Sequence, residues 1–412
     1  MENALSAGPN LPFELWRELR ARAIFDYCKW DHQCEDNSVL ARFPLFVGSR
    51  VVDSLGAMAE GLSEEAFLAE AEILRRPELI RRLGISKRIA EIMERSRGRS
   101  AGSESVRVMR FDFHFTSEGW RISEANADVP GGYVEASGWN QLLSGQFPDT
   151  TPPPNPTEEY VRAIQKQVRP YSLIALAHAT VYSDDRQTMV HFAKEMVRSR
   201  LRPCLISASH LHWEDGRAAL KSGFADGRPE LVVRFLPAEW LPQMVSAGMW
   251  EPWFLGSKTP LSNPACAILL QSKRFPLTWN ELDSKLPSWR RLLPESCDPS
   301  QIKPLNTSEW VLKPAFGRVG ESVGIRGVTG EREYAEIQRA VKKQPENWIA
   351  QRRFEIVPVE TEEGLKYPCI GVYTVNGKMA GLYARVGPTP LINETAQDAG
   401  ILICEGKKES KQ

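Results

Sequence analysis

The chain has 412 residues, 42% hydrophobic, 9% aromatic and 25% charged, enough for two or three domains or one large α/β unit. Lys plus Arg and Asp plus Glu both number 52, so neither nucleic-acid coating nor electrostatic membrane binding is expected. No apolar run approaches the ~18 residues that span a bilayer, Met1-Glu2-Asn3 opens no secretory signal, and seven cysteines without CxxC pairs point to reduced thiols in a cytoplasmic protein.

Residues 11 to 100 carry helical patterns. Leu11 to Tyr27 has apolar residues at helical spacing with Pro12 near its start, Ser63-Glu64-Glu65 looks like an N-cap with an acidic first turn, and Pro77-Glu78-Leu79-Ile80 opens a helix that Gly84 closes. Arg97 to Ser103 is expected to be a loop. Val106 to Asn126 alternates at period two around Thr116-Ser117-Glu118-Gly119, which predicts a β-hairpin. After a Pro/Thr-rich stretch, Ser172 to Ala179, Asp185 to Arg200, Pro203 to Ser207 and Leu231 to Phe235 form the strand–helix–strand pattern of a small parallel sheet. From Trp310 the pattern is α+β: a strand, a Gly-rich turn, a helix over Glu331 to Lys343, and strands over Trp348 to Phe354, Tyr367 to Val375 and Gly381 to Val386. Glu405 to Gln412 is a charged tail.

Three constellations could carry chemistry. If Ser117-Glu118-Gly119 is a three-residue loop, Asp112 pairs with Glu124 and Arg110 with Asn126, all on one face. Two carboxylates and an amide oxygen at one strand end suit Mg²⁺; a solvated strand end with an Arg110 salt bridge is the plainer alternative. Next, Lys313 ends a strand and enters Pro314-Ala315-Phe316-Gly317-Arg318-Val319-Gly320, where glycines let N–H groups approach an anion and the lysine offsets phosphate charge. A hairpin loop with a surface lysine fits equally. Last, Ile349-Ala350-Gln351-Arg352 could end at a hinge that offers backbone groups to a purine, or be an edge strand with charged ends.

In this order, Arg110-Phe111-Asp112, Glu124-Ala125-Asn126-Ala127-Asp128, Arg234 to Trp240, Lys313-Pro314 with Phe316-Gly317-Arg318 and Gly320, Gln351 before Phe354, and the strands from Ile370 to Arg385 resemble the amide-ligase domain of the glutathionylspermidine synthase family, a branch of the ATP-grasp superfamily. The resemblance implies an α/β (α+β) fold, a permuted ATP-grasp. Its expected parts are a helical N-terminal region (1–100), a metal-binding hairpin with helices (101–165), a preATP-grasp-like parallel-sheet unit (166–300) and an ATP-gripping module (301–412). It implies Asp112, Glu124 and Asn126 as Mg²⁺ ligands, and Lys313, Gly317, Arg318, Gly320, Gln351 and Arg352 as the ATP site. Arg110 and Arg385 would stabilise charge on transferred phosphate, and a second ATP lysine falls at Lys342 or Lys343 by position only.

The implied reaction joins a carboxylate to an amine, free or carrier-bound, through an acyl phosphate, with release of ADP. Val129-Pro130-Gly131-Gly132 stands where the family usually has serines or threonines, so neither glutathione nor spermidine is carried over. An ATP-grasp phosphotransferase without an amine acceptor and a non-catalytic ATP-binding scaffold remain alternatives.

Overall fold

The structure is a computed structural model that describes residues 4–95, 105–221, 223, 225–244, 249–317 and 320–404. Arg318, the loop expected over Arg97 to Ser103 and the tail after Cys404 lie outside these residues.

A nine-stranded sheet forms the centre. Its main path runs Leu5–Ala7, Leu40–Gly48, Gln397–Cys404, Lys378–Gly387, Gly364–Val375, Val108–Thr116 and Gly119–Asn126. Every neighbour along that path is antiparallel except Gln397–Cys404 beside Leu40–Gly48, which is parallel. Helix Ser49–Ile73 crosses one face and buries Leu55, Ala59, Leu62, Ala66, Ala69 and Ile73. Ser63 is therefore no helix start. It sits mid-helix, buried, with its hydroxyl 2.7 Å from Thr374 Oγ1 on the sheet. Local Ser-Glu-Glu chemistry mimics a cap, but the apolar stripe runs straight through it and packing decides.

The helical reading of residues 11 to 100 also misses Leu40–Gly48. Apart from Arg42, that strand is apolar and largely buried on both faces, so no clear period-two alternation appears. Helix Phe13–Tyr27, started by Pro12, and the short helix Pro77–Ile80, whose following turn ends at left-handed Gly84, match expectation.

Two smaller sheets flank the centre. One is parallel, ordered Leu261–Ser262, Leu231–Phe235, Leu173–His178, Arg202–Ile206, with helix Ser183–Arg198 against it as its amphipathic pattern requires. The other is antiparallel, ordered Ser296–Cys297, Trp348–Arg352, Trp310–Pro314, Gly324–Ile325. Leu312 and Ala350, paired across it, pack under Ile337 and Val341 of helix Glu331–Lys343. The alternate residues Val311, Lys313 and Gln351 face a cavity against the central sheet.

Among the described residues no helix is long and apolar enough to cross a membrane. The seven cysteines form no disulfide.

Candidate active site

One cavity of about 970 Å³ collects Arg110, Asp112, Glu124, Asn126, Lys313, Gly317, Gly320, Gln351, Arg352 and Arg385 on its wall. The described residues expected at the site are there, except the lysine expected at Lys342 or Lys343.

The hairpin supplies the acidic part. Asp112 opposes Glu124 and Arg110 opposes Asn126, the expected pairs, but by another route. The turn is a two-residue loop, with Thr116 opposite Gly119. The extra residue is a bulge at Ser123, between Ile122 opposite Phe113 and Glu124 opposite Asp112. The bulge turns the Ser123 carbonyl to accept from Lys313 Nζ at 3.0 Å, while its hydroxyl meets His114 Nε2 at 3.1 Å.

Arg110 grips Asp112 with two parallel hydrogen bonds, Nε to Oδ1 at 2.7 Å and Nη2 to Oδ2 at 2.9 Å, and donates from Nη1 to Gly131 O at 2.8 Å. The side chains of Arg110 and Asp112 are 13% and 11% exposed, so the pair is not a solvated strand end. The long arginine crosses the sheet at Gly371, where a Cβ would lie 2.7 Å from Arg110 Cδ. Gly132, at φ 87°, likewise keeps clear of the Tyr373 and Tyr383 side chains. These contacts give the Val129-Pro130-Gly131-Gly132 segment a structural role, because Gly131 O accepts from both Arg110 and Tyr373.

Lys273 faces Glu124 at 3.1 Å and donates to Gly317 O at 3.1 Å. Burial penalises the Glu124 carboxylate, but Lys273 and Lys313 outweigh it and pull the group down to about 2. Lys313 donates to Gln351 Oε1 at 2.7 Å as well as to Ser123 O. Burial lowers its ammonium to about 8; Glu124 pulls the other way and Lys273 adds to the lowering. His114 is buried and pushed down to about 4 by burial and by Lys313, so its imidazole is neutral at physiological pH.

Strand Trp348–Arg352 is flanked on both sides, so it is not an edge. The Arg352 and Arg353 N–H groups donate to Glu295 O and Glu309 O. The Arg352 side chain pairs with Glu295 and Glu309 over the Trp310 ring. Both backbone N–H groups are therefore taken, and the chain leaves the sheet after Arg353. Gly320 is left-handed, φ 71°, and a Cβ there would lie 2.4 Å from Ile392 O, so Gly320 lies closely on the segment around Ile392. Arg385 donates from Nη2 to Asn393 O at 2.7 Å. Lys342 and Lys343 stand exposed at a helix end and do not line the cavity. Lys273 does, and neither its spacing nor its neighbours in sequence mark it.

The acidic donor set is small. Among the described residues no group of three or more His, Cys, Asp or Glu is arranged to hold a metal. Asp112 and Glu124 lie on one face with the Asn126 amide 3.1 Å from Asp112 and 3.5 Å from Glu124. The amide turns its Nδ2 to both carboxylates, so the two carboxylates are the oxygen donors in place, and Asn126 would add its Oδ1 to a Mg²⁺ shell by an amide turn.

A nine-stranded sheet and a smaller antiparallel sheet closing on a cavity with acidic, basic and Gly-rich walls define an α+β protein of ATP-grasp-like fold. The chain belongs to the glutathionylspermidine synthase family, whose preATP-grasp model matches residues 14–403, and that membership supports a ligase-type activity. Among solved structures the chain is similar to a glutathione synthetase like-effector (GSS30) from Globodera pallida in its apo form, with TM-score 0.63 and 10% identity over 95% of this chain and 97% of that one. At that identity the likeness shows the fold alone. A D-alanyl-alanine synthetase A from Vibrio cholerae O1 biovar eltor matches with TM-score 0.30 and 11% identity over 57% of this chain and 90% of that one, and carries no argument. None of the curated proteins compared matches the chain.

Proposed function

We propose that the protein is an ATP-dependent carboxylate–amine ligase that forms an amide through an acyl phosphate and releases ADP and phosphate. The observation that carries this is the meeting of two carboxylates, two lysines, two arginines and a Gly-rich loop on one cavity wall.

The substrate carboxylate attacks the γ-phosphorus of ATP, and an amine then displaces phosphate from the acyl phosphate. No protein nucleophile is needed, so the residues act by position and charge. Lys313 and Lys273 meet the phosphates, and Arg110 offsets charge on the transferred group. Arg385 serves the same phosphate end. The Gly317–Gly320 loop, with Arg318 in it, covers the phosphates and keeps water from the acyl phosphate. Gln351 lies below the nucleotide, and the chain after Arg352 meets the adenine edge. Asp112, Glu124 and Asn126 would hold Mg²⁺, which would neutralise phosphate charge and orient the phosphates for in-line transfer. Asp112 and Glu124 are now satisfied by Arg110 and Lys273, so a metal would compete with these cations for the carboxylates, and the phosphates would compete with the carboxylates for the cations.

The test is ADP release from ATP and Mg²⁺ with a panel of carboxylic acids and amines, including carrier-bound ones, with Asp112→Ala and Glu124→Ala alongside. ADP that requires both a carboxylate and an amine, and is lost in both variants, supports the ligase. ADP that forms without an amine favours a phosphotransferase. Calorimetric ATP binding without ADP under any pair favours a scaffold.

A further inference from the structure

The cavity has a second charged wall that the phosphate chemistry does not use. Lys29 follows helix Phe13–Tyr27. Cys28 before it is left-handed, φ 68°, and the Lys29 N–H donates to Ala23 O at 2.9 Å, so the chain doubles back and turns the lysine inward. Its side chain is 3% exposed. The ammonium lies 3.0 Å from Asp31 and 3.0 Å from Asp398, and touches Glu135. Gln187 adds a further segment: its Oε1 accepts from the Trp30 and Asp31 N–H groups at 2.6 and 3.1 Å, and its Nε2 donates to Asp31.

An ammonium has three N–H groups, and Lys29 has three carboxylates around it. None is left for a ligand, so Lys29 is not a binding group. What it holds leads to the reacting centre. Asp398 Oδ1 accepts from the Tyr383 hydroxyl at 2.8 Å. The Arg110 guanidinium lies 5.3 Å from the Tyr383 ring centroid, in the range of a cation–π contact. Burial works against the Lys29 charge, but Asp398, Glu135 and Asp31 outweigh it and hold the ammonium well above its ordinary range. It stays charged at any working pH.

We propose that Lys29 is a positioning residue for the transfer step: through Asp398 and Tyr383 it fixes the surface on which the Arg110 guanidinium lies. This rests on the ligase reading for what Arg110 does. Without the ammonium, Asp398 sits beside two other carboxylates with Arg385, 3.7 Å away, as its cation. Asp398 then turns from the tyrosine hydroxyl, and the ring no longer supports Arg110. Lys313 and Lys273 contact none of these groups, and Arg385 is the phosphate-end residue that Asp398 reaches, so the two lysines keep their hold on the nucleotide.

The test uses Tyr383→Phe, which deletes only the hydroxyl link and leaves the ring, and Lys29→Ala. Expected for Tyr383→Phe is a drop of about tenfold in kcat for amine-dependent ADP release, with ATP affinity by calorimetry within about twofold. Lys29→Ala loses at least as much, and propylammonium, which replaces the deleted side chain, restores it several-fold with no gain in wild type. The double variant is no slower than the slower single one, because both act through one path. Additive losses, or ATP affinity falling in step with kcat, overturn the proposal. A readout that needs no turnover separates it from the ligase reading. The Tyr383 ring shifts the NMR signal of the Arg110 Nε–H, assigned by its loss in Arg110→Lys. Lys29→Ala must move that signal toward its ring-free position. An unmoved signal overturns the link, while a moved signal in a protein that makes no ADP with any amine upholds the link and rejects the ligase.

Discussion

Lys313 and Lys29 are both buried lysines on the wall of one cavity, and their surroundings drive them in opposite directions. Lys313 donates to a carbonyl and a side-chain amide, has Glu124 as its main opposite charge and feels Lys273; burial brings it down to about 8. Lys29 has three carboxylates in contact, and its ammonium is held up against the same penalty. The first is short of negative charge and gains by receiving some. The second is saturated and can only hold its surroundings in place. Burial of a lysine thus says little about its role until its counter-charges are counted.

The comparison can be broken or sharpened in several ways. The largest effect is expected at Arg110, between the two lysines. Arg110→Ala should cost roughly 10²–10³ in kcat, as for loss of a group aimed at developing charge, while ATP affinity changes far less. Side-by-side turnover and calorimetry check this, and equal losses would assign Arg110 to ground-state binding. Next, Lys313→Ala should weaken ATP binding by about 10–100-fold, the value of a charged hydrogen bond, with an unchanged circular-dichroism spectrum. Unchanged affinity would remove the distinction drawn between the two lysines. Gly371→Ala is expected to be milder. Its methyl group would displace Arg110 from the sheet and lower kcat by roughly tenfold with ATP affinity retained.

The smallest effect is a pH signature at the Lys29 end. Burial pushes Glu135 up to about 7, with Lys29 opposing and Asp398 and Asp31 adding to the rise. A folded value above the ordinary 4.5 means that the unfolded chain holds fewer protons between the two. That part of the stability is complete below about pH 4.5 and is lost as pH rises through about 7. Each pKa unit is worth ~1.4 kcal/mol. Glu135→Gln should flatten the fall between these values in melts across the range. Parallel curves for variant and wild type would leave the proton elsewhere in the cluster.

Much of the phosphate end is legible in the sequence because its signals are local. The period-two run from Val106, the lysine at a strand end and the glycines after it each announce themselves within a dozen residues. Even there, the sequence pairs Asp112 with Glu124 through a three-residue turn, where the chain uses a two-residue loop and a bulge at Ser123. Both insert one residue, so the register is the same; only the bulge aims the Ser123 carbonyl at Lys313. The Lys29 end is invisible in the sequence. Lys29, Glu135 and Asp398 lie far apart along the chain, and no local pattern links them. The strand that helps to assemble them, Leu40–Gly48, is mostly apolar chain that carries Arg42 and Pro44. That proline is accepted where the pairing with Gln397–Cys404 shifts register between Asp398 and Gly400. Arg234 stands out only as part of a motif; its buried pairing with Asp128, beside Asn126, comes from the parallel sheet packing on the hairpin.

The parallel pairing of Gln397–Cys404 with Leu40–Gly48 bears on how the protein is made. The strand that leaves the ribosome last among those of the central sheet goes into its interior, between two strands already synthesised. Until it arrives, Leu40–Gly48 and Lys378–Gly387 each present an open hydrogen-bonding edge, and Lys29 lacks Asp398. Contacts of such sequence separation form slowly, and open edges of this kind invite pairing with other chains. The nascent chain is therefore expected to need shielding until translation is nearly complete, and a ribosome stalled after Gly387 should display an aggregation-prone polypeptide with its parallel-sheet unit already folded.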